Sequence, residues 1–167
     1  GLCLSLHLSD PHLPTRVPAA GAFTFAFWAA ARFTRAATEF VFHGAGGGGP
    51  QPKCRSDDRI EWGGDASFSI VNGKMVRGAY FKMPAAQTSQ ENCVAHNGSL
   101  VPVPGRDIMV QGWYQGVLDV FDFTDTEHRY EIASFARGPV DAPKMVTAGF
   151  WAGYWYNGHI LVSEIAA

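Results

Sequence analysis

The residues of this chain best suited to chemistry are its histidines and one nearby serine, and their spacing matches no common catalytic motif. The six histidines occur in no HxH or HExxH arrangement, the spacings that place two zinc ligands side by side. Ser99 follows His96 by three residues, but no GxSxG turn surrounds it. We therefore expect no hydrolase triad.

Three aspartates, Asp119, Asp122 and Asp125, recur at every third residue. Side chains alternate between the two faces of a strand, so this spacing does not bring three carboxylates into one metal cage. Asp122 and Asp125 are expected instead to accept hydrogen bonds from the backbone of the turn after the strand. The D-x-[DN]-x-[DN]-G loop does not occur, which excludes calcium binding of the EF-hand type.

The three cysteines, Cys3, Cys54 and Cys93, contain no CxxC pair, which argues against a zinc ribbon or a thioredoxin-like site. One disulfide and one free thiol fit this odd number best. A Cys54–Cys93 disulfide would form in an oxidising compartment and would stabilise the fold by about 4 kcal/mol on the chain-entropy model. The alternative is that all three are small buried apolar residues.

Turn signals divide the chain from Glu39 onward into short strands. Asn72-Gly73 and Asn157-Gly158 each separate two alternating apolar runs, the strongest short-range signal for a β-hairpin. Pro104-Gly105-Arg106 marks another tight turn. No stretch beyond residue 38 has the period of an amphipathic helix. We predict an all-β chain of antiparallel hairpins, and this pattern alone does not distinguish a sandwich, a barrel or a propeller.

Residues 1–38 do not fit this pattern, because an alanine-rich helical composition and a strand-like FTFAF run follow one another there. We treat 1–38 as an N-terminal segment that is irregular or helical, and residues 39–167 as a single domain. The loop GAGGGGPQPKCRSDD is expected to be flexible, since no GK[ST] follows its glycines to hold a phosphate.

Composition restricts the class of protein. Of 167 residues, 47% are apolar and 17% charged, which is compatible with a folded core. The formal net charge is −2 and there is no basic run, so we expect no nucleic-acid partner. No apolar stretch reaches the ~20 residues of a membrane span, so we expect none.

From Gln87 to Glu164 the chain resembles the LVIVD-repeat β-propeller proteins, an extracytoplasmic family in which most members have no assigned activity. The family pentad, an apolar strand closed by aspartate, is matched by Leu118-Asp119-Val120-Phe121-Asp122. Similar segments are QTSQENCVAHNGSLVPVPGRDIMVQGWYQG, FDFTD, ARGPVDA and YWYNG, and GGGGPQPKCR with the hairpin to Lys82 resembles the preceding blade. The resemblance implies a partial propeller over residues 39–167, with about two blades and part of a third.

The resemblance also indicates a candidate site. In the family's strand order His96 opens an inner strand, and such residues face the channel of a propeller, where a neutral imidazole can ligate a metal or move a proton. His43 and His159 are the other histidines near strand ends. The metal candidates are therefore His96, His43 and His159, with a divalent metal as the cofactor. The alternative is that the His96 ring bonds the backbone of a neighbouring blade.

Aromatic residues near the C-terminus form the second candidate site. Alternation places Tyr154 and Tyr156 on one face of a strand and Trp155 on the other. Accessible rings would stack a sugar or another flat ligand, whereas buried rings would pack blades together, and we favour packing for the cluster as a whole. The predicted ligand-binding residues are His96, Asn97, Tyr114, Tyr154 and Tyr156.

The expected function is that of a secreted or extracytoplasmic binding module without chemistry of its own or a required cofactor, whose ligand is a protein or a carbohydrate. The alternative is a metal-dependent hydrolase or oxidase with a ring-centre site around His96. Two blades would leave strand edges exposed, so we also expect self-association through those edges.

Overall fold

A computed structural model describes residues 31–34, 39–43, 53–84, 87–141 and 143–165. These residues form ten β-strands and no helix, which confirms the predicted all-β class. In chain order the strands are β1 Ala31–Phe33, β2 Glu39–His43, β3 Asp65–Val71, β4 Lys74–Phe81, β5 Gly98–Val101, β6 Ile108–Gly112, β7 Leu118–Asp122, β8 Tyr130–Phe135, β9 Gly149–Tyr156 and β10 His159–Ile165.

The two Asn-Gly pairs form tight hairpin turns, as predicted. Asn72 and Gly73 have φ of 52° and 71°, and Asn157 and Gly158 have φ of 45° and 81°. Positive φ at both central residues is the geometry whose twist matches that of the flanking strands, and asparagine and glycine adopt it at the lowest cost. These turns fix the register of β3 with β4 and of β9 with β10.

The strands form three antiparallel sheets. The first sheet has the order β1-β2-β3-β4 and the second β5-β6-β7-β8, so each is a four-stranded meander of consecutive strands. The third sheet contains only β9 and β10. The second sheet lies between the other two, because its side chains share one apolar cluster with the first sheet and another with the third.

The larger apolar cluster joins the first sheet and the connectors beside it to the second sheet. At its centre the Phe81 ring of β4 stacks on Phe121 of β7 at a centroid distance of 4.5 Å and meets Trp113 edge-on at 6.2 Å. Aromatic pairs at these distances add to the stabilisation from apolar burial. The buried members are Val41, Cys54, Phe81, Met83, Cys93, Ala95, Met109, Trp113, Val117, Phe121 and Phe123.

The opposite face of the second sheet packs on the third. Phe150 of β9 is buried against Val110 of β6 and Leu118 of β7. Gly153 of β9 permits this approach, because a Cβ there would lie 2.9 Å from Val110 Cγ2 and 3.0 Å from Leu118 Cδ1. The central strands β6 and β7 of the second sheet are therefore covered on both faces, whereas the third sheet is covered on one.

The predicted boundary at residue 38 does not coincide with the edge of the first sheet. Ala31–Phe33 forms β1 and pairs with β2 in antiparallel register, so part of the segment that we treated as irregular or helical is a strand. The sequence signal failed because three paired residues are too few to show a period. Residues 1–30 and 35–38 lie outside the described residues. Of the residues that are described, no helix is long and apolar enough to span a membrane.

The Cys54–Cys93 pair is joined as predicted. The two Cα atoms are 5.8 Å apart, which is within the range for a disulfide, and both side chains are buried in the larger cluster. The bond connects the segment between β2 and β3 to the segment between β4 and β5. Cys3 lies outside the described residues.

Candidate functional site

His96 lies at the junction of the second and third sheets, two residues before β5. Its amide donates to the Gly112 carbonyl at 2.8 Å, which holds the backbone beside β6. Its ring is buried, with Nδ1 2.6 Å from the Trp151 carbonyl oxygen. A carbonyl oxygen only accepts, so Nδ1 carries the proton and donates it. The ring centroid lies 3.9 Å from that of Trp151 and 4.8 Å from that of Tyr114.

The backbone around His96 connects the two sheets directly. The Asn97 carbonyl accepts hydrogen bonds from Gly112 at 3.1 Å and from Gly153 at 3.3 Å, so β6 and β9 share one acceptor. Tyr114, which has a φ of 48°, exchanges two backbone hydrogen bonds with Phe150 at 2.8 and 3.1 Å. Burial raises the pKa of the Tyr114 phenol. Side-chain and backbone bonds thus fix the third sheet on the second at this point.

Glycine is required opposite Tyr114. Gly149 has a φ of 91°, and a Cβ at this position would lie 2.5 Å from the Tyr114 carbonyl oxygen. Both the left-handed backbone and the close approach exclude a larger residue without a local shift. The start of β9 is therefore shaped to fit the backbone of the second sheet.

The His96 ring bonds the backbone of a neighbouring sheet, which is the structural alternative to a metal role. His159 is exposed at the start of β10, and the side chain of His43 lies outside the described residues. Among the side chains that are described, no group of three or more His, Cys, Asp or Glu residues is arranged to hold a metal ion. The three-histidine metal site stays a prediction.

The aromatic residues of β9 divide between core and surface. Phe150 is buried, as the packing interpretation predicts, whereas Tyr154 and Tyr156 are 58% and 63% exposed. Trp155 between them is more buried, in agreement with the predicted alternation. Strand register places Leu161 of β10 beside Tyr154 on the same face. The packing interpretation is therefore wrong for the two tyrosines, whose side chains are exposed on the outer face of the third sheet.

Asp122 and Asp125 have the turn-forming role that the sequence predicts. Asp122 Oδ1 accepts the Thr124 amide at 2.8 Å, and Asp125 Oδ1 accepts the Glu127 amide at 2.9 Å. Burial would raise the pKa of Asp122, but hydrogen bonds from Thr124 and Arg106 outweigh it and lower the pKa. Neither carboxylate shares a partner with Asp119, which points into the protein.

A group of buried and half-buried polar side chains between the first and second sheets was not predicted. Asp119 of β7 and Asp65 of β3 are completely buried, and Gln111 of β6 donates through Nε2 to Asp65 Oδ1 at 3.1 Å. Arg129, just before β8, donates to the Ala79 carbonyl at 2.8 Å, and burial lowers the pKa of its guanidinium. We call Asp65, Gln111, Asp119, Arg129 and Glu131 the polar seam.

Asp119 is a carboxyl group of the polar seam whose pKa is strongly raised. Burial raises its pKa to about 8, with further contributions from the charges of Glu131 and Asp65 and from a side-chain hydrogen bond to Glu131. Within the described part of the chain, both Asp119 oxygens and Glu131 Oε2 receive no hydrogen bond of normal geometry. Burial and the neighbouring negative charges therefore favour the protonated form of Asp119 at neutral pH.

The sequence of the family pentad contains a signal for the burial of Asp119. In Leu118-Asp119-Val120-Phe121-Asp122 the aspartate at the second position is two residues before Phe121, so alternation places both on one face. A strand that buries Phe121 must therefore bury Asp119 as well. The identity of the second carboxyl group, Glu131, could not be found in this way, because a bulge shifts the register between β7 and β8.

Comparison of the chain with protein-family models, with curated proteins and with solved structures gives no match in any of the three.

Proposed function

We propose that this chain is an interaction module of the LVIVD-repeat propeller type, located outside the cytoplasm, that binds a ligand on the outer face of its third sheet and has no chemistry of its own. The observation that carries the proposal is the exposure of Tyr154 and Tyr156. They lie two residues apart on one face of β9, 58% and 63% exposed. Exposed aromatic rings grouped on one face are typical of binding surfaces.

Several features support the propeller part of the proposal. The sheets are antiparallel meanders of consecutive strands, and the central sheet has neighbours packed on both faces. The family pentad coincides with β7, and its final aspartate closes the strand through a hydrogen bond from the Thr124 amide. In a propeller each blade is such a sheet, stacked face to face with the next blade.

The environment of His96 favours binding over catalysis. Its Nδ1 proton is donated to the Trp151 carbonyl, and its ring packs between Trp151 and Tyr114 in the junction of two sheets. These contacts give the buried His96 side chain a structural role that requires no substrate or metal. The Cys54–Cys93 bond supports the location, because disulfides persist in oxidising compartments.

The accessible tyrosines favour a ligand with a flat apolar face, such as a sugar ring. The test is cosedimentation with insoluble cellulose and chitin, together with calorimetric titration of their soluble oligosaccharides. We expect Tyr154→Ala/Tyr156→Ala to weaken binding at least tenfold, and Phe135→Ala, an exposed aromatic of β8, to leave it unchanged. Equal binding by the double variant, or no binding to any of these sugars, would contradict a carbohydrate platform.

Elemental analysis tests whether the protein is a metal-dependent enzyme, the alternative to a binding module. We expect purified protein to contain no stoichiometric divalent metal, and His96→Ala to leave the metal content unchanged. A metal present at one per chain and lost in His96→Ala would overturn the proposal in favour of a metal-dependent enzyme.

A further inference from the structure

The ten described strands leave several sheet edges, and most of these edges are protected against pairing. β1 has three residues and β5 has four, followed by Pro102, which has no amide proton to donate. Short strands and prolines are among the devices by which natural sheets prevent association through an edge.

The β4 edge is protected by charge, by a bulge and by side chains from the second sheet. Lys74 and Arg77 lie on it, and the register shift beside Ser67 inserts an extra residue. Its Ala79 carbonyl accepts from Arg129 at 2.8 Å, and its Ala79 amide donates to Glu127 Oε1 at 3.3 Å. Backbone groups that a new strand would need are already bonded.

The β8 and β9 edges are also unsuited to pairing. β8 contains an extra residue opposite the Val120/Phe121 step of β7, which bends its edge, and it includes Glu131. The edge of β9 faces the second sheet, where Trp155 donates its amide to Ser99 Oγ at 2.9 Å and Asn97 and Tyr114 form single bridges to β9.

β10 lacks these protections. Its seven residues, HILVSEI, contain no proline, lysine or arginine, and its only carboxylate, Glu164, is bonded to Arg137 at 2.7 Å. Pairing with β9 is regular from His159 to Ser163, and the register shift between Ser163 and Glu164 places its extra residue, Trp151, on β9 and not on β10. Ile160, Leu161 and Val162 are all exposed, and within the described part of the chain no strand lies on the far side of β10. A long, flat, apolar edge of this kind is a template for an added strand.

We propose that β10 pairs with β10 of a second copy of this chain, antiparallel across a two-fold axis. Such pairing converts the two-stranded third sheet into a four-stranded sheet, β9-β10-β10-β9, with the same number of strands as the first and second sheets. An antiparallel strand is its own complement under a two-fold rotation, so one edge suffices for a closed dimer. The proposal specifies a partner in addition to the ligand of the proposed function, and it does not depend on the tyrosines.

The direct test is the oligomeric state of the protein between about 1 µM and 1 mM by sedimentation equilibrium, because an edge-only interface is small and its dimer concentration-dependent. Leu161→Lys brings two like charges close to the two-fold axis and should weaken dimerisation at least tenfold. The matched control is Ile132→Lys on the bulged β8 edge. Leu161 and Ile132 are 54% and 47% exposed, so the two changes remove similar amounts of packing, and the control should dimerise like the original protein.

Hydrogen exchange provides a readout that does not require a variant. We expect the amides of residues 159–165 that point away from β9 to be protected at high protein concentration and to exchange faster at low concentration, with no such change in β8. The proposal is overturned if the protein is monomeric up to 1 mM, if both variants dimerise equally, or if the β10 amides are insensitive to concentration. A dimer that fails to bind sugars would refute the proposed ligand alone, and a monomer that binds them would refute the dimer alone.

Discussion

Replacement of Asp119 by asparagine tests the electrostatics of the polar seam. The pKa of Asp119 rises from 3.8 to about 8 on folding, mainly because the carboxyl group is buried. Between these values the folded chain retains a proton that the unfolded chain has lost. The free energy of unfolding therefore falls with rising pH through this window, by about 1.4 kcal/mol per pH unit from this group. An asparagine side chain carries no ionisable proton, so its contribution is independent of pH.

The difference in unfolding free energy between Asp119→Asn and the original protein isolates this one group. It should grow in favour of the variant from pH 4 to pH 8 by a few kcal/mol, on the order of 6 at most, and level off above pH 8. Urea titrations at each pH, followed by tryptophan fluorescence, measure it. Comparing the two proteins at the same pH cancels the contributions of titrating groups that do not interact with Asp119.

Asp57→Asn is the matched control, because the Asp57 carboxylate is 79% exposed. Its difference from the original protein should be close to zero throughout. If the Asp119→Asn difference is also flat from pH 4 to pH 8, Asp119 is not a buried protonated acid. If the difference grows with the opposite sign, the carboxylate is stabilised in its charged form, and a protonated Asp119 at neutral pH is refuted.

Three further changes test how the sheets are held together, each by urea unfolding. Gly149→Ala should lower the free energy of unfolding by about 3 kcal/mol, and the control Gly158→Ala by about 1 kcal/mol. Both positions have positive φ, but only a Cβ at Gly149 would contact another backbone segment. Equal effects would contradict this close contact. Cys54→Ser/Cys93→Ser should cost about 4 kcal/mol, and an unchanged midpoint would refute the disulfide. His96→Leu keeps the apolar bulk but removes the Nδ1 donor, so we expect a loss of about 1–3 kcal/mol, and no loss would show that the bond is unimportant.

The local features of this fold could be predicted from the sequence because each is determined by a few adjacent residues. Asn72-Gly73 and Asn157-Gly158 specify their turns through backbone conformation alone. Asp122 and Asp125 accept amides two residues later, which is a property of aspartate in turns and does not depend on the rest of the fold. The predicted hairpins and turn aspartates are confirmed for this reason.

Features that depend on distant residues could not be predicted in the same way. The partner of the His96 ring is the carbonyl of Trp151, 55 positions away, and no local pattern indicates which backbone group will lie there. Asp119 and Glu131 meet only because of the β7–β8 register, which a bulge changes by one residue. A single shift of this kind moves every following side chain to the other face, so spacing alone could not identify the pair.

The exposed tyrosines and the β10 edge have a common physical cause. Both belong to the third sheet, which is covered on one face by the second sheet and has one unpaired edge in the described part of the chain. Alternation predicts that Tyr154 and Tyr156 share a face, but their accessibility depends on whether another sheet packs there. The protection of an edge differs in this respect. The lysine and arginine of β4 and the absence of such residues from β10 are visible in the sequence, whereas the bulges of β4 and β8 are not. The open face and the regular edge point in different directions, so a stacked ligand and a paired strand can occupy the third sheet together, and their binding should be independent.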